Sequence, residues 1–494
     1  MSDFNDMSTG PQEGDSWISK IKNRKPKTPL TDIEKTWALY DAGNSAIYMF
    51  FILIGVSIGE LAYGTYFATN QTQTMSIFNA STGVIVALLG PILGSIADNK
   101  GRKKSLFKFF VYMGVGGCYF SLIANFASLA SFDSGLFAWG FFVPFAISIF
   151  LILIGLGGSL LFYDSMLGDV TTEERSDIVS SKGFAYGYIF SLIPFSICLA
   201  IYYFFMTPTD SVINYGFTEA GSYAAIRLAI TACLCISGTW WLCFSRPLIK
   251  KFEQKTGVDP VPNQIRNAFK KLGETFREVK KYKAAFLFLL AFFFYINGVN
   301  TIIALSATYA KDIFSNNGSG IDNSMLNVYL IVALMCTQVI ACGCSILFGN
   351  LSQKVSPKKL IILSVFGYLA FVVYGIFMNN LFDFFLLAFG IGIFQGGIQA
   401  LSRSYFCKLA PPEKMSQFFG LYDIFNKSSN FIGSALFALI TTISMGYLGN
   451  DATGVILSNR IAVACLASLF VVGLAIMFFI PANKADKANN LNKA

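Results

Sequence analysis

The chain has 494 residues, 54% of them hydrophobic and only 13% charged, with 51 Phe and a mean hydropathy of +0.57; soluble proteins carry about 25% charged residues, so this composition belongs in a bilayer. The absence of histidine removes the Ser-His-Asp relay, HExxH zinc sites, His-ligated haem and the His-dependent membrane acyltransferases. The formal net charge of +9 needs no nucleic-acid partner, because an excess of Lys and Arg on cytoplasmic loops produces it.

Residues 1–36 are polar and rich in Lys, Arg, Asp and Pro, and lack the apolar run of a signal peptide, so they read as a cytoplasmic tail and the first span as the signal anchor. Hydropathy predicts twelve spans, near 40–62, 75–97, 105–127, 136–162, 184–206, 222–244, 284–306, 325–349, 359–378, 382–403, 418–441 and 455–480, each close to the ~20 residues that cross a ~30 Å hydrocarbon layer. An even number of spans puts both termini on one side. Candidate cytoplasmic segments hold 34 of the 37 Lys and Arg, Lys427 among them, leaving Arg227, Lys311 and Arg460; both termini are therefore expected in the cytoplasm. The ten cysteines lie in or beside apolar segments without a CxxC pair and are expected to be reduced packing residues.

The long break is at 246–283. It predicts an N-terminal six-helix bundle over 37–245, a cytoplasmic central loop over 246–283, a C-terminal bundle over 284–481 and a cytoplasmic tail over 482–494. Within the loop Ile265, Phe269, Leu272, Phe276 and Val279 advance by four, three, four and three, the stripe of an amphipathic helix on the inner membrane surface. An internal repeat supports the division. "GSIADNKGRKK" (Gly94 to Lys104) after the second span is echoed 255 residues on by "GNLSQKVSPKK" (Gly349 to Lys359) after the eighth. A weaker echo pairs "VTTEERSD" with "APPEKMSQ", 240 residues apart. Internal repeats across twelve spans mark a secondary transporter whose site lies at mid-membrane between two halves that rock.

The Gly94 to Lys104 run resembles the loop between helices two and three of the major facilitator superfamily. More narrowly, "LYDAGNSAIY" (39–48), "ALLGPILGSIADNKGRKK" (87–104), "FYDSMLGDVTTEERSDIVSSKGFAYGY" (162–188) and "FQGGIQALSRSYFCKLAPPEKMSQFFGLYDIFNKSS" (394–429) resemble its vacuole-effluxer-like, autophagy-related branch, which has bacterial members. The resemblance implies an all-α polytopic protein, with twelve transmembrane helices in two pseudo-symmetric six-helix bundles. It also implies solute export driven by an ion gradient, with amino acids the substrates associated with the fungal members. Helices one, four, seven and ten would line the cavity.

Several residues can carry such a mechanism. Asp98 ends a helix two turns past Pro91, and Gly101 permits a tight turn before Arg102, Lys103 and Lys104. An acid at a helix end beside bases in a turn can pair, or dock on a neighbouring helix terminus, in one state and separate in the other. Gly94, Asp98, Gly101, Arg102, Lys103 and Lys104 are thus a candidate cytoplasmic latch; the plainer reading is that the bases only set topology. On the tenth span Gln395, Gln399 and Arg403 recur every four residues on one face, which should point into protein or water because lipid would be costly. Asn44, Tyr48 and Glu60 on the first span, Tyr163 and Asp164 closing the fourth, and Asn297 and Asn300 on the seventh are the other candidates for the substrate pathway, each also compatible with packing alone. Asp164 and Arg403 are a candidate inner gate. Without His, proton coupling needs a buried carboxylate: Asp41, Glu60, Asp164 or Asp423. Lys427, four residues after Asp423, would hold that acid ionised, and Glu60 or Asp41 is favoured. Gly155, Gly157 and Gly158 permit close helix contact, and the Phe-rich run "FLFLLAFFFY" is expected to face lipid.

The reading is a secondary active transporter, not an enzyme, moving a small polar solute by alternating access. Its partners are the bilayer and a proton or other ion gradient; no cofactor or metal is implied, and a monomer in a bacterial cell membrane, or in a vacuole-type membrane of a eukaryote, is expected. A non-transporting ligand sensor of the same fold is the alternative. An enzyme on lipid-linked substrates would need a catalytic cluster that this chain does not display.

Overall fold

In a computed structural model, residues 29–63, 85, 89, 90, 92–129, 136–206, 219–258, 277–316, 323–449 and 451–481 are described. They are almost wholly helical: α1 Asp32–Tyr63, α2 Arg102–Leu129, α3 Leu136–Ser165, the single turn α4 Leu167–Val170, α5 Ser176–Phe190, α6 Leu192–Met206, α7 Glu219–Lys251, α8 Lys283–Asn316, α9 Asn323–Leu351, α10 Pro357–Ile376, α11 Leu381–Leu409, α12 Met415–Leu448 and α13 Ala452–Phe479. Nine membrane-crossing stretches, by length and apolarity, lie among the described residues. The helices outrun several hydropathy windows at their polar ends: α1 begins at Asp32 and α7 runs on to Lys251. The second predicted span is described at positions 85, 89, 90 and 92–97 only. In the predicted amphipathic stripe, Ile265, Phe269, Leu272 and Phe276 lie outside the described residues, while Val279 is buried in a helical turn.

Local chemistry sets the ends. Asn380 and Asp383 form a reciprocal capping box that starts α11, and Asp451 accepts from the Gly454 amide to start α13. Pro357 occupies the first turn of α10, where no amide donor is needed. Gly101, at φ 75°, and Gly449, at φ 87°, make the left-handed turns before α2 and after α12. The fifth predicted span is two helices, divided at Ser191. Three residues on, Pro194 lacks the amide that would bond the Phe190 carbonyl.

α1, α2, α3, α5, α6 and α7 pack among themselves, as do α8 to α13; α5 meets α9 and α11, and α3 meets α12, across the two groups. Close packing uses glycine: Gly155 lies against Gly114 and Gly158 against the Phe110 ring, with no room for a methyl. The Phe-rich run corrects an expectation. Phe366, Phe382, Phe389 and Phe478 do face outward, but Phe288 and Phe292 are buried; Phe292 stacks on Tyr422 with centroids 4.2 Å apart, and Phe288 meets the edge of Tyr405. Their stripe on α8 faces α11 and α12, where aromatic pairs add to burial. A second correction concerns Lys427. It lies about 18 Å along α12 from Met415 at 1.5 Å per residue, far from the basic loops. The ion pair with Asp423 (3.0 Å) offsets its charge there. The ten cysteines are free thiols.

Candidate functional site

The site is built where the two groups of helices meet at the end that carries the basic loops. Its hub is Arg403 on α11, buried and bound by both sides of the fork. Nη1 donates to Asp164 Oδ1 (3.1 Å), Nη2 to Asp41 Oδ2 and to the Ser180 carbonyl (both 3.1 Å), and Nε to Ser180 Oγ (3.0 Å). Its planar face sits among Phe184, Trp37 and Tyr163, at 4.2, 4.7 and 5.3 Å from the ring centroids. A guanidinium is suited to this because it donates in its plane and stacks through its faces. Every partner belongs to the first group of helices, so one side chain ties the two groups together. Asp41 and Asp164, expected as coupling and gate residues, are brought to the same cation.

α5 supplies the matching surface. Ser180, Phe184 and Tyr188 recur every four residues and face Arg403, Gln399 and Gln395: Tyr188 donates to Gln399 Oε1 at 2.6 Å, and Ser180 Oγ donates to the Ala400 carbonyl at 2.8 Å. Gln395 is buried on the same face. Close approach depends on Gly183, where a methyl would lie 2.7 Å from Asp41 Oδ2 and 3.0 Å from Arg403 Nη2. α5 escaped the sequence reading although its four-residue period was present in "SSKGFAYGY"; serine and aromatic residues on an apolar helix ordinarily signal only packing.

The first repeat copy forms a second tie. Asp98 accepts from the Ser416 amide with Oδ1 (2.8 Å) and from the Gln417 amide with Oδ2 (2.9 Å). These are orphan donors of the first turn of α12, whose own N-cap, Lys414, supplies no side-chain bond. Asp98 thus caps a helix of the other group and places its charge at the positive helix end. Gly94 lets the chains meet: a methyl there would lie 2.5 Å from the Ser416 carbonyl oxygen. Burial pushes the Asp98 carboxyl above its ordinary value, against the opposing pull of Lys103 and of the Ser416 and Gln417 donors.

Among the bases of this turn, Lys103 rather than Arg102 is structural. Lys103 is buried and donates to Asp169 Oδ2 (2.7 Å) and the Ser165 carbonyl (3.3 Å), because the first turn of α2 directs it inward against α3 and α4. Arg102 is exposed, and Lys104 reaches the Lys250 carbonyl at 3.2 Å. Asp169 Oδ1 also accepts from the Lys255 and Thr256 amides and from Thr256 Oγ1. The segment after α7 is thereby stitched in, and a β-bridge links Asn99 with Val258.

The second copy behaves differently. Gly349 packs on Ser181 of α5, and Gln353, at the position matching Asp98, donates to the Glu174 carbonyl at 3.2 Å. Nearby, Lys408 pairs with Asp177 at 2.7 Å, both buried, and Ser345 Oγ donates to the Ser181 carbonyl at 2.8 Å. Beneath α1, Glu34 holds Arg175 at 2.7 and 2.8 Å and accepts from Thr171 and the Thr31 amide. Burial alone would raise the Glu34 carboxyl, but these donors outweigh it and bring it down to about 2.

Of the remaining candidates, Asn44 and Tyr163 adjoin the hub, while Tyr48, Asn297 and Asn300 are not among the residues that hold Arg403. Asn44 donates to Asp41 Oδ1 at 3.3 Å, and Tyr163 stacks on Trp37, centroids 4.4 Å apart. Tyr48 is 39% exposed. Asn300 donates to Asn426 of α12 at 3.3 Å, and Asn297 donates to its own helix at Phe293. Glu60 falls in α1, but its side chain lies outside the described ones. No cluster of potential metal ligands occurs among the described residues.

Over residues 59–490 the chain matches the family described as vacuole effluxer Atg22 like. It is 36% identical over 464 residues to YxiO of Bacillus subtilis, an uncharacterized MFS-type transporter, covering 92% of this chain and 95% of the relative. Autophagy-related protein 22 of Kluyveromyces lactis is 25% identical over 313 residues, 58% of each chain. Among solved structures the chain superposes on the major facilitator superfamily transporter FucP in its outward conformation, with a TM-score of 0.64 at 14% identity over 91% of this chain and 99% of that one. The proton:xylose symporter XylE gives 0.55 at 12% identity, over 93% and 97%. These last two likenesses are of fold: the all-helical major facilitator architecture of two six-helix bundles.

Proposed function

The chain belongs to the Atg22-like vacuole effluxer family and is an MFS-type membrane transporter, and from that premise we propose that it exports a small polar solute, an amino acid, by alternating access coupled to protons. The basic end is the cytoplasmic one by its Lys and Arg content, with both termini there. The protein works as a monomer in a bacterial cell membrane, and the structure represents its outward-facing state. The observation that carries this reading is Arg403, held in one bundle and bound to Asp41, Asp164 and Ser180 of the other. Opening the cytoplasmic side must break that set.

Two carboxylates share one guanidinium, which leaves one surplus negative charge in a buried place. A buried unpaired charge costs several kcal/mol, so uptake of one proton by the set as a whole would balance the closed gate. Exchange of that proton with the cytoplasm when the gate opens couples the swing to the gradient. Asp98 on α12 and Lys408 with Asp177 add a second layer that must release together with it.

Counterflow of amino acids, peptides and sugars in proteoliposomes tests the reading, with an imposed pH gradient as the second variable. Amino-acid accumulation driven by the gradient is expected in wild type, and accumulation independent of pH in Asp41→Asn or Asp164→Asn. Solute binding without accumulation in any arm would overturn transport in favour of a sensor.

A further inference from the structure

One charged pair in the bilayer ties nothing together. Asp423 and Lys427, at i and i+4 of α12, are 3.0 Å apart with side chains 9% and 12% exposed. Arg403, Lys103 and Lys408 each bind a different helix. This pair stays within one helix, where two apolar residues would be cheaper to bury. Neither Lys427 Nζ nor Asp423 Oδ2 has a well-aligned hydrogen bond among the described residues.

The direction of the pair follows from the helix. Ser416, Gly420, Asp423 and Lys427 are spaced by four, three and four and share one face. That face packs against the other bundle: Ser416 Oγ lies 3.2 Å from Ser165 Oγ, and a methyl on Gly90 would lie 3.3 Å from the Gly420 carbonyl oxygen. At 1.5 Å per residue, Asp423 and Lys427 sit about 5 and 10 Å beyond Gly420, toward mid-membrane. Asn426, one residue before Lys427, is joined to Asn300 of α8.

We propose that the Asp423–Lys427 pair, beside Asn300 and Asn426, is the binding site for a zwitterionic solute: its ammonium goes to Asp423 and its carboxylate to Lys427. The assignment rests on the transporter reading above. The reason is conservation of charge. A neutral internal pair that opens to receive one cationic and one anionic group exchanges one ion pair for two. A lone cation or anion would leave a buried charge unmatched. Opening is local, because both partners ride on the same helix and no contact between bundles is lost.

The test uses the full chain in proteoliposomes, with counterflow of a mixture of neutral α-amino acids and competition by the matching decarboxylated amines and deaminated acids. In wild type the zwitterions are expected to compete at least tenfold more strongly than either half-probe. Lys427→Gln and Asp423→Asn should each raise the half-saturation for zwitterions at least tenfold, the first sparing amines and the second sparing acids. The exchanged pair Asp423→Lys with Lys427→Asp should recover half-saturation to within threefold. The double variant Asp423→Asn with Lys427→Gln leaves no orphan charge. If it keeps wild-type half-saturation, or if amines or acids compete as well as zwitterions in wild type, the assignment is overturned. Transport itself is judged separately: failure of cysteines at the basic end to switch accessibility would remove the transporter reading.

Discussion

The two copies of the internal repeat occupy matching places and use different chemistry. In the first, Asp98 places a carboxylate on two amides at the start of α12, and Lys103 is sealed against Asp169. In the second, Gln353 gives one neutral bond to the Glu174 carbonyl, and Lys358 donates to the Ile480 carbonyl at 2.6 Å. Each copy keeps a glycine where the opposite bundle presses closest, at Ser416 for Gly94 and Ser181 for Gly349. The glycine is the steric requirement of two rods meeting at their ends. The acid is an electrostatic addition that only one copy carries; on the α5 side the charge comes instead from the buried Lys408–Asp177 pair.

Substitutions can break this asymmetry. The largest effect is expected at Lys103→Gln, which leaves Asp169 buried with hydrogen bonds but no countercharge: about 3 kcal/mol of stability is lost, whereas Lys358→Gln costs about 1 kcal/mol. Thermal unfolding in one detergent ranks the two, and equal losses would abolish the distinction. Next is Asp98→Asn, which keeps one acceptor of two and turns an amide donor against the other N–H. A shift of about 1–2 kcal/mol toward the open state should appear as about a five- to thirtyfold change in labelling of cysteines placed at the basic end. Gln353→Ala should change the same labelling less than about fivefold.

Two pH responses sharpen the comparison further. The Asp98 carboxyl is raised in the closed state; the state with the higher affinity for protons gains as pH falls, so the closed population should rise on acidification, and the Asp98→Asn variant should lack that component. Spin-label distances across the basic end at stepped pH, with wild type and variant side by side, decide it. The second is at Glu34, whose carboxyl is lowered to about 2. Its contribution is complete above the unfolded value of about 4.5 and is lost as pH falls toward 2. Wild type should therefore lose more stability across that window than Glu34→Gln, measured by chemical unfolding.

The fold was largely legible because bilayer physics is severe: length, apolarity and basic loops leave few arrangements, and the repeat marks the boundary between halves. Glycines at Gly155 and Gly158 signalled close approach for the same reason. The hub was legible only in part. Arg403 and Asp164 stood out as charges in apolar helices, but nothing in their spacing pointed to Asp41, 362 residues from Arg403, as the second acid on one guanidinium. Trp37 and Phe184 were invisible because an aromatic ring in a membrane helix has no distinguishing period. Lys427 was misplaced by the count of loop charges although the predicted span 418–441 contains it, and in the structure its partner one turn away, Asp423, offsets its charge.

The interruption at Ser191 has a mechanical outcome. A continuous rod zipped along its length must shed every contact at once to leave its neighbour, whereas a jointed one carries bending at the break. α5 holds Ser180, Phe184 and Tyr188 against α11, while α6 beyond the joint packs on α7 and α1 of its own bundle. The gripping segment and its root thus meet different neighbours, and the hydrogen bond that Pro194 leaves unmade is where a bend between them would cost least.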